Sequence, residues 1–115
     1  MPLPNDMEVH YVDNFLETCA FFKWLDEEHE VIAYDLETTG LDPRDYGAGI
    51  RLAQLGDHKQ GWAIPWDHWS GIFIEAIERL KRRKVRLVAH NASFDNRWLR
   101  MFANWEIPYE LIDDT

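Results

Sequence analysis

The residues of this chain best suited to chemistry are two carboxylates, Asp35 and Glu37, separated by one apolar residue. The composition of residues 31–37 predicts a strand, and side chains two apart on a strand leave the same face. Two carboxylates this close repel each other, and their oxygen atoms suit a hard cation such as Mg²⁺ or Mn²⁺. Taken alone, the pair is better explained by an exposed strand face, because acidic side chains are mostly solvated.

A third carboxylate, Asp95, follows a second predicted strand at residues 85–89. It belongs to the segment His90-Asn91-Ala92-Ser93-Phe94-Asp95, which opens a helix. Asp95 is expected in the first helical turn, beside the positive end of the helix dipole. By itself this segment is better explained as helix-start chemistry by Asn91, Ser93 and Asp95. Together, the three carboxylates are what a two-metal site for phosphoryl transfer requires.

Hydrophobic periodicity places these residues in a mixed α/β sheet. We predict a helix over about 14–28, capped by Asp13 or Asn14, with its apolar face at Phe15, Leu16, Cys19, Phe22 and Leu25. Strands are expected at 31–37, 50–55, 61–64 and 85–89, the middle two forming a hairpin at an antiparallel edge of the sheet. A weak alternation allows a further short strand at 8–12. Two later helices are predicted to bury the residues Phe73, Ala76, Ile77, Leu80, Phe94, Trp98, Met101, Phe102 and Trp105.

Length, charge and cysteine content limit the possible classes of protein. The 115 residues allow one domain, 1–115, or a part of one. A net charge of −9 argues against a coat on duplex DNA or a polybasic membrane binder. The chain has a single cysteine, Cys19, and no apolar run of membrane-spanning length, and its start at Met1–Asp6 lacks signal-peptide features. These observations predict a cytoplasmic protein without membrane contact.

The charges are unevenly distributed along the chain. Residues 1–48 contain twelve acidic and two basic residues, whereas residues 79–100 contain eight basic and one acidic residue. Among the basic side chains, Arg82, Arg83, Lys84, Arg97 or Arg100 could form a rim that guides a phosphate backbone. A solvated helix end explains most of that run more simply.

Five segments in order resemble the proofreading 3′-to-5′ exonuclease domain of family A DNA polymerases, especially bacteriophage and bacterial ones. They are Ala33-Tyr34-Asp35-Leu36-Glu37-Thr38-Thr39-Gly40-Leu41-Asp42-Pro43, Ile50–Leu55, Trp62–Pro65, His90–Asp95 and Ile112–Thr115. That domain is part of the DEDD exonuclease superfamily, and the resemblance implies a ribonuclease H-like fold. It covers the chain from about residue 31 onward.

The resemblance also implies the roles of particular residues. Asp35, Glu37 and Asp95 would be catalytic and hold two Mg²⁺ or Mn²⁺ ions, while Thr38, Leu41 and Asn91 would position the 3′-terminal nucleotide. The implied reaction is hydrolysis of the terminal phosphodiester of single-stranded DNA, with release of a nucleoside 5′-monophosphate. The implied partners are a single-stranded 3′ end, of DNA or possibly RNA, and the polymerase region of the same parent protein.

One part of the family pattern has no counterpart in these residues. A third motif, with a Tyr or His that orients water and the fourth metal-binding Asp, is expected downstream of Asp114-Thr115. We therefore expect an exonuclease domain truncated before that motif, with an incomplete metal site and weak or no activity in isolation. The alternatives are an RNase D-like exonuclease that trims RNA, and a non-catalytic nucleic-acid or protein-interaction module on the same scaffold.

Overall fold

A computed structural model describes residues 8–115. The prediction made from Met1–Asp6 therefore concerns residues outside the described part of the chain. The described chain contains six strands, three α-helices and one 3₁₀ turn, with three strands in succession between the first two helices. They are β1 (Glu8–Tyr11), α1 (Phe15–Leu25), β2 (Val31–Thr38), β3 (Ile50–Gly56), β4 (Gln60–Pro65), α2 (Trp66–Arg82), β5 (Arg86–Ala89), α3 (Ala92–Ala103), a 3₁₀ turn (Tyr109–Leu111) and β6 (Ile112–Asp114). Among residues 8–115, no helix is both long and apolar enough to cross a membrane.

The six strands form one mixed sheet in the order β1-β4-β3-β2-β5-β6. The strands β2, β3 and β4 pair antiparallel, and β5 pairs parallel with β2, as the sequence predicts. The β3–β4 hairpin, however, does not form the edge of the sheet. Residues Glu8–Tyr11 pair parallel with the outer side of β4 and satisfy its open hydrogen-bonding groups, so β1 is the edge strand.

The strand β6 at the opposite edge was not predicted. Its three residues pair parallel with β5, from Leu87↔Ile112 to Ala89↔Asp114. So short a segment carries no periodicity, and its pairing partner lies more than twenty residues earlier in the chain. This pairing brings Asp114 to the end of β5, where α3 begins.

The core lies on one face of the sheet. Strand β2 alternates strictly between exposed and buried residues, and the predicted core residues of α2, at Phe73, Ala76, Ile77 and Leu80, are all fully buried. Helix α2 packs against β3 and β4. Asp35 and Glu37 project from the exposed positions of β2, so the predicted carboxylate pair lies on the open face.

The predicted apolar face of α1 was partly wrong. Leu25 is buried as predicted, but Phe15 and Leu16 are 76% and 77% exposed, and the other buried residues are Phe21 and Trp24. This helix carries aromatic residues on more than one side, so spacing alone does not single out the buried side. Packing against Trp62 of β4 determines which side is buried, because the Trp62 ring lies 5.5 Å from that of Phe21 and 5.8 Å from that of Trp24.

The predicted face of α3 was also partly wrong. Trp98 is fully buried as expected, but Met101 and Phe102 are 52% and 38% exposed. The buried face turns instead toward Asp95 and Asn96. The Asn96 side chain donates to the backbone oxygen of Ile107 at 2.9 Å and accepts from its N–H at 2.9 Å, so this polar group is fully paired in the core.

Candidate metal-dependent nuclease site

The first wall of the candidate site is the C-terminal half of β2. Tyr34 and Leu36 are buried at 3% and 6% exposure, while Asp35 and Glu37 face the open side of the sheet. The register of β2 against β3 shifts between Glu37 and Thr38. A bulge at this point bends the strand and ends its regular pairing beside the carboxylates.

The second wall is the junction between β5 and α3. Pairing of β2 with β5 ends at Ala33↔Val88, so Asp35 lies beyond the last paired residue of β2 on this side. Helix α3 starts at Ala92, three residues after β5 ends. Asp95, in the first turn of α3, is close enough to Asp35 for the two carboxyl groups to affect each other's environment.

Asp95 is the most perturbed acidic group described. It is 2% exposed, and its Oδ2 atom has no hydrogen-bond partner. Burial raises the pKa of Asp95 from 3.8 to about 7, and the carboxylates of Asp35 and Asp114 add to the rise. An ionised Asp95 in this position is strongly disfavoured unless a cation lies against it.

Asp35 is perturbed in the same direction. Partial loss of solvent around its carboxyl group raises its pKa, and the nearby Glu37 carboxylate raises it further. A hydrogen bond from the Leu36 N–H acts against this rise. The charge of Glu37 thus raises the pKa of Asp35, and the charge of Asp35 raises the pKa of Asp95.

The N-terminus of helix α3 is capped by a side chain from strand β6. Asp114 of β6 accepts from the N–H groups of Asn91 at 2.8 Å and Ala92 at 3.1 Å. Asn91 is the N-cap residue, but its side chain makes no capping hydrogen bond and its backbone is left-handed, at φ 62°. The interpretation of Asn91 as local helix-start chemistry was therefore wrong, because the carboxylate of Asp114 takes that role.

The residues expected to contact a terminal nucleotide lie around the same edge. Thr38 ends β2 and its hydroxyl donates to the Gly40 backbone oxygen at 2.7 Å. Leu41, on the loop that follows, is 84% exposed. The Asn91 side chain accepts a hydrogen bond from the Ser93 hydroxyl at 3.1 Å.

The donor set fits a divalent cation in its chemistry. Within residues 8–115, no three His, Cys, Asp or Glu side chains are gathered closely enough to hold a metal ion. The Asp35 carboxylate adds to the rise in the pKa of Asp95, and the unpartnered Oδ2 of Asp95 is a buried oxygen that a hard cation would satisfy. In the described part of the chain, Asp113 pairs with Arg86 and Asp114 caps α3, so neither is available as a further ligand.

Two groups beside this site were missed by sequence reasoning. Asp114 as the cap of α3 has no local signal, because its partners lie more than twenty residues earlier in the chain. The buried hydroxyl of Tyr34 has no hydrogen-bond partner, and burial and the charge of Asp95 raise its pKa. The strand period predicts that Tyr34 faces the core, as observed, but it does not indicate that the hydroxyl lacks a partner.

Comparison with known proteins agrees with this geometry. The model of the 3′-5′ exonuclease family, of the DNA polymerase A type, matches residues 10–109. The DNA polymerase of Mycobacterium phage L5 is 38% identical over 64 residues, which are 56% of this chain and 11% of that protein. The DNA polymerase of Mycobacterium phage D29 is 28% identical over 95 residues, which are 76% of this chain and 14% of that protein.

Solved structures share the fold. The catalytic core of RRP6 from Trypanosoma brucei aligns with a TM-score of 0.71 at 22% identity, covering 95% of this chain and 29% of that one. The Aedes aegypti Nibbler EXO domain aligns with a TM-score of 0.75 at 17% identity, covering 99% of this chain and 55% of that one. These matches confirm the expected ribonuclease H-like α/β fold. Since the family model spans most of the sequence, the chain belongs to the 3′-5′ exonuclease family of the DNA polymerase A type.

Proposed function

We propose that this chain acts as the metal-dependent 3′-to-5′ exonuclease domain of a DNA polymerase. It removes nucleoside 5′-monophosphates from the 3′ end of single-stranded DNA, which is a proofreading activity. The observation that carries the proposal is the buried, unpartnered carboxylate of Asp95 beside Asp35 on the open face of β2. Since the chain spans 11% and 14% of its two phage relatives, the polymerase region of the same parent protein is part of the proposal.

The proposed ligands of Mg²⁺ or Mn²⁺ are Asp35, Glu37 and Asp95. When bound, such ions supply a water nucleophile at neutral pH and stabilise the charge that develops on the scissile phosphate. Asp35 and Glu37 would hold these ions at the end of β2, where the strand is exposed on one face. The Brucella melitensis nuclease NrnC, which shares the fold with a TM-score of 0.58, has been solved with bound Mg²⁺.

Thr38, Leu41 and Asn91 are proposed to hold the terminal nucleotide. Leu41 is exposed on the loop that follows β2, and an apolar side chain there offers a surface for the face of a base. The Thr38 hydroxyl and the Asn91 amide supply polar groups at the two walls of the site. Exposure of a large apolar side chain next to a cation site is what binding of an unpaired nucleotide requires.

We further propose that residues 1–115 form one partial exonuclease domain with weak activity. These residues contain no counterpart of the third family motif, which would supply the water-orienting Tyr or His and a fourth carboxylate. General-base assistance of that kind contributes about 10²- to 10⁴-fold in rate. Slow but carboxylate-dependent digestion is therefore the expected behaviour.

The experiment is digestion of a short single-stranded DNA, labelled at its 5′ end, by a large excess of the chain with Mn²⁺. We expect a ladder that shortens from the 3′ end, and loss of the ladder with Asp35→Asn. The matched control is Asp67→Asn, because the Asp67 side chain is 94% exposed and belongs to α2. Internal cuts, or a ladder that Asp35→Asn produces as fast as the wild-type chain, would contradict the proposal.

The same assay with RNA of identical sequence tests the alternative substrate. A structure of Trypanosoma brucei RNase D in complex with RNA U12 shares the fold, with a TM-score of 0.70 at 18% identity. That likeness concerns the fold alone, whereas the sequence relatives are DNA polymerases. Faster digestion of RNA than of DNA would favour the RNase D-like alternative.

A further inference from the structure

A cleft of about 480 Å³ lies between the loop that joins β2 to β3 and the outer face of α3. Its lining residues are Pro43 and Arg44 from the loop and Arg97, Arg100 and Met101 from the helix. We call this surface the arginine cleft. None of these five residues is among those assigned to the candidate cation or terminal-nucleotide site.

The arginine cleft is lined by three guanidinium groups and no carboxylate in a chain whose net charge is −9. Two of the three are partly neutralised by flanking acids, since Arg44 donates twice to Asp42, at 3.1 and 2.9 Å, and Arg100 pairs with Glu106. All three side chains remain between 46% and 75% exposed.

Arg97 differs from the other two. Its closest acidic atom is Oδ1 of Asp42 at 3.9 Å, which is beyond hydrogen-bonding distance. Among residues 8–115, no acceptor lies in hydrogen-bond contact with its guanidinium group. The five N–H donors of Arg97 are therefore open to a ligand that reaches the cleft.

Both walls of the cleft continue the elements that carry the candidate carboxylates. Pro43 lies six residues after Glu37 on the chain leaving β2, and Arg97 lies two residues after Asp95 on α3. The rise of an α-helix places Arg97 about 3 Å and Arg100 about 8 Å farther along the axis than Asp95. Leu41 is followed by Asp42, whose Oδ1 lies 3.9 Å from the Arg97 guanidinium, so Leu41 and the loop wall of the cleft are one residue apart in the chain.

We infer that the arginine cleft binds backbone phosphates of a single-stranded nucleic acid, upstream of the 3′-terminal nucleotide. The inference rests on the proposed function and adds the path of the bound strand. Guanidinium groups match phosphate oxygens with two parallel hydrogen bonds, and the flanking acids keep Arg44 and Arg100 in place. Pro43 and Met101 add apolar surface for sugars or bases.

The larger basic cluster at the end of α2 is less suited to this role. Arg83 donates to the backbone oxygens of Leu25 at 2.7 Å and Glu27 at 2.6 Å, so its guanidinium ties α2 to the end of α1. Arg82 bonds to Glu75. The end of α2 leads into the start of β5, at the opposite end of that strand from Asp95.

The test is equilibrium binding of a fluorescein-labelled oligothymidylate, followed by anisotropy over a range of NaCl concentrations in EDTA. Each phosphate contact with a single strand contributes about 0.7 to the slope of log K against log salt. The double variant Arg97→Gln plus Arg100→Gln is expected to lower the slope by about 1.4 and to weaken binding about 50-fold in 50 mM salt. The matched control, Lys81→Gln plus Arg82→Gln, removes the same charge from the end of α2. It is expected to change the slope and the affinity by less than half as much as the double variant of the cleft does.

A further variant and the use of EDTA separate folding and catalysis from binding. Arg97→Gln alone removes no hydrogen bond of the protein, and it is expected to lower the slope by about 0.7. Binding is measured in EDTA, without the cations that digestion requires, so failure of the proposed function leaves this test intact. Equal effects of the cleft and control variants, or binding of a polyglutamate peptide in place of DNA, would overturn the inference.

Discussion

Replacing Asp95 by asparagine is expected to stabilise the metal-free chain at alkaline pH. Asp95 is 2% exposed and its Oδ2 has no partner, so its negative charge opposes folding. Asparagine has nearly the same shape and carries no charge. The variant therefore removes the electrostatic cost while leaving the packing of α3 unchanged.

The size and sign of the effect follow from the pKa of Asp95. Burial raises this pKa from 3.8 to about 7, so the folded state binds a proton more tightly than the unfolded state. The native chain consequently loses stability as the pH rises from about 4 to about 7, and the full cost is present above that window. At about 1.4 kcal/mol for each pKa unit, the cost is about 4 kcal/mol at pH 8 and about 2 kcal/mol at pH 5.

The assay is urea unfolding in EDTA, followed by tryptophan fluorescence at pH 5 and pH 8. The stability of Asp95→Asn relative to wild type is expected to be about 2 kcal/mol more favourable at pH 8 than at pH 5. An unpaired amide in place of the carboxyl group costs about 1 to 3 kcal/mol, but this cost does not depend on pH. A relative stability that stays constant between the two pH values, or falls at pH 8, would refute the reasoning.

Three other substitutions test polar groups of the fold by the same unfolding assay at neutral pH. Tyr34→Phe is expected to be neutral or stabilising, because it removes a buried hydroxyl without a partner; a loss above 1 kcal/mol would mean that the hydroxyl is bonded. Asp57→Ala is expected to cost about 2 to 3 kcal/mol, since its carboxylate accepts three hydrogen bonds, one of them from the Trp24 indole. Asn96→Ala is expected to cost a similar amount, because it leaves the N–H and the oxygen of Ile107 buried and unpaired. A change under 0.5 kcal/mol at either position would contradict these hydrogen bonds.

The central part of the fold is predictable because its signals are local. The composition of residues 31–37 predicts β2, and the period of two places Asp35 and Glu37 on one face, as the structure confirms. The turn residues after Leu55 indicate the β3–β4 hairpin. The cap of α1 was predicted at Asp13 or Asn14, and the structure shows Asn14, whose side chain accepts from the N–H of Glu17 at 2.9 Å.

Features that depend on distant pairing were not predictable in this way. The burial of Asp95 and the cap provided by Asp114 arise only when β6 joins the sheet beside β5. The buried face of α1 depends on Trp62, almost forty residues after Trp24. In each case the local sequence is compatible with several packing partners, and the tertiary contact determines which of them is used.

The most direct test of the central claim is Mn²⁺ binding, measured by electron paramagnetic resonance at pH 8. Wild type and Asp67→Asn are expected to bind Mn²⁺ with equal affinity, because the Asp67 carboxylate is 94% exposed, belongs to α2 and is not one of the proposed ligands. Asp35→Asn and Asp95→Asn are each expected to weaken binding at least tenfold, since each removes an oxygen ligand and a negative charge from the same site. Equal Mn²⁺ affinity in all four proteins would contradict the assignment of these carboxylates to a cation site.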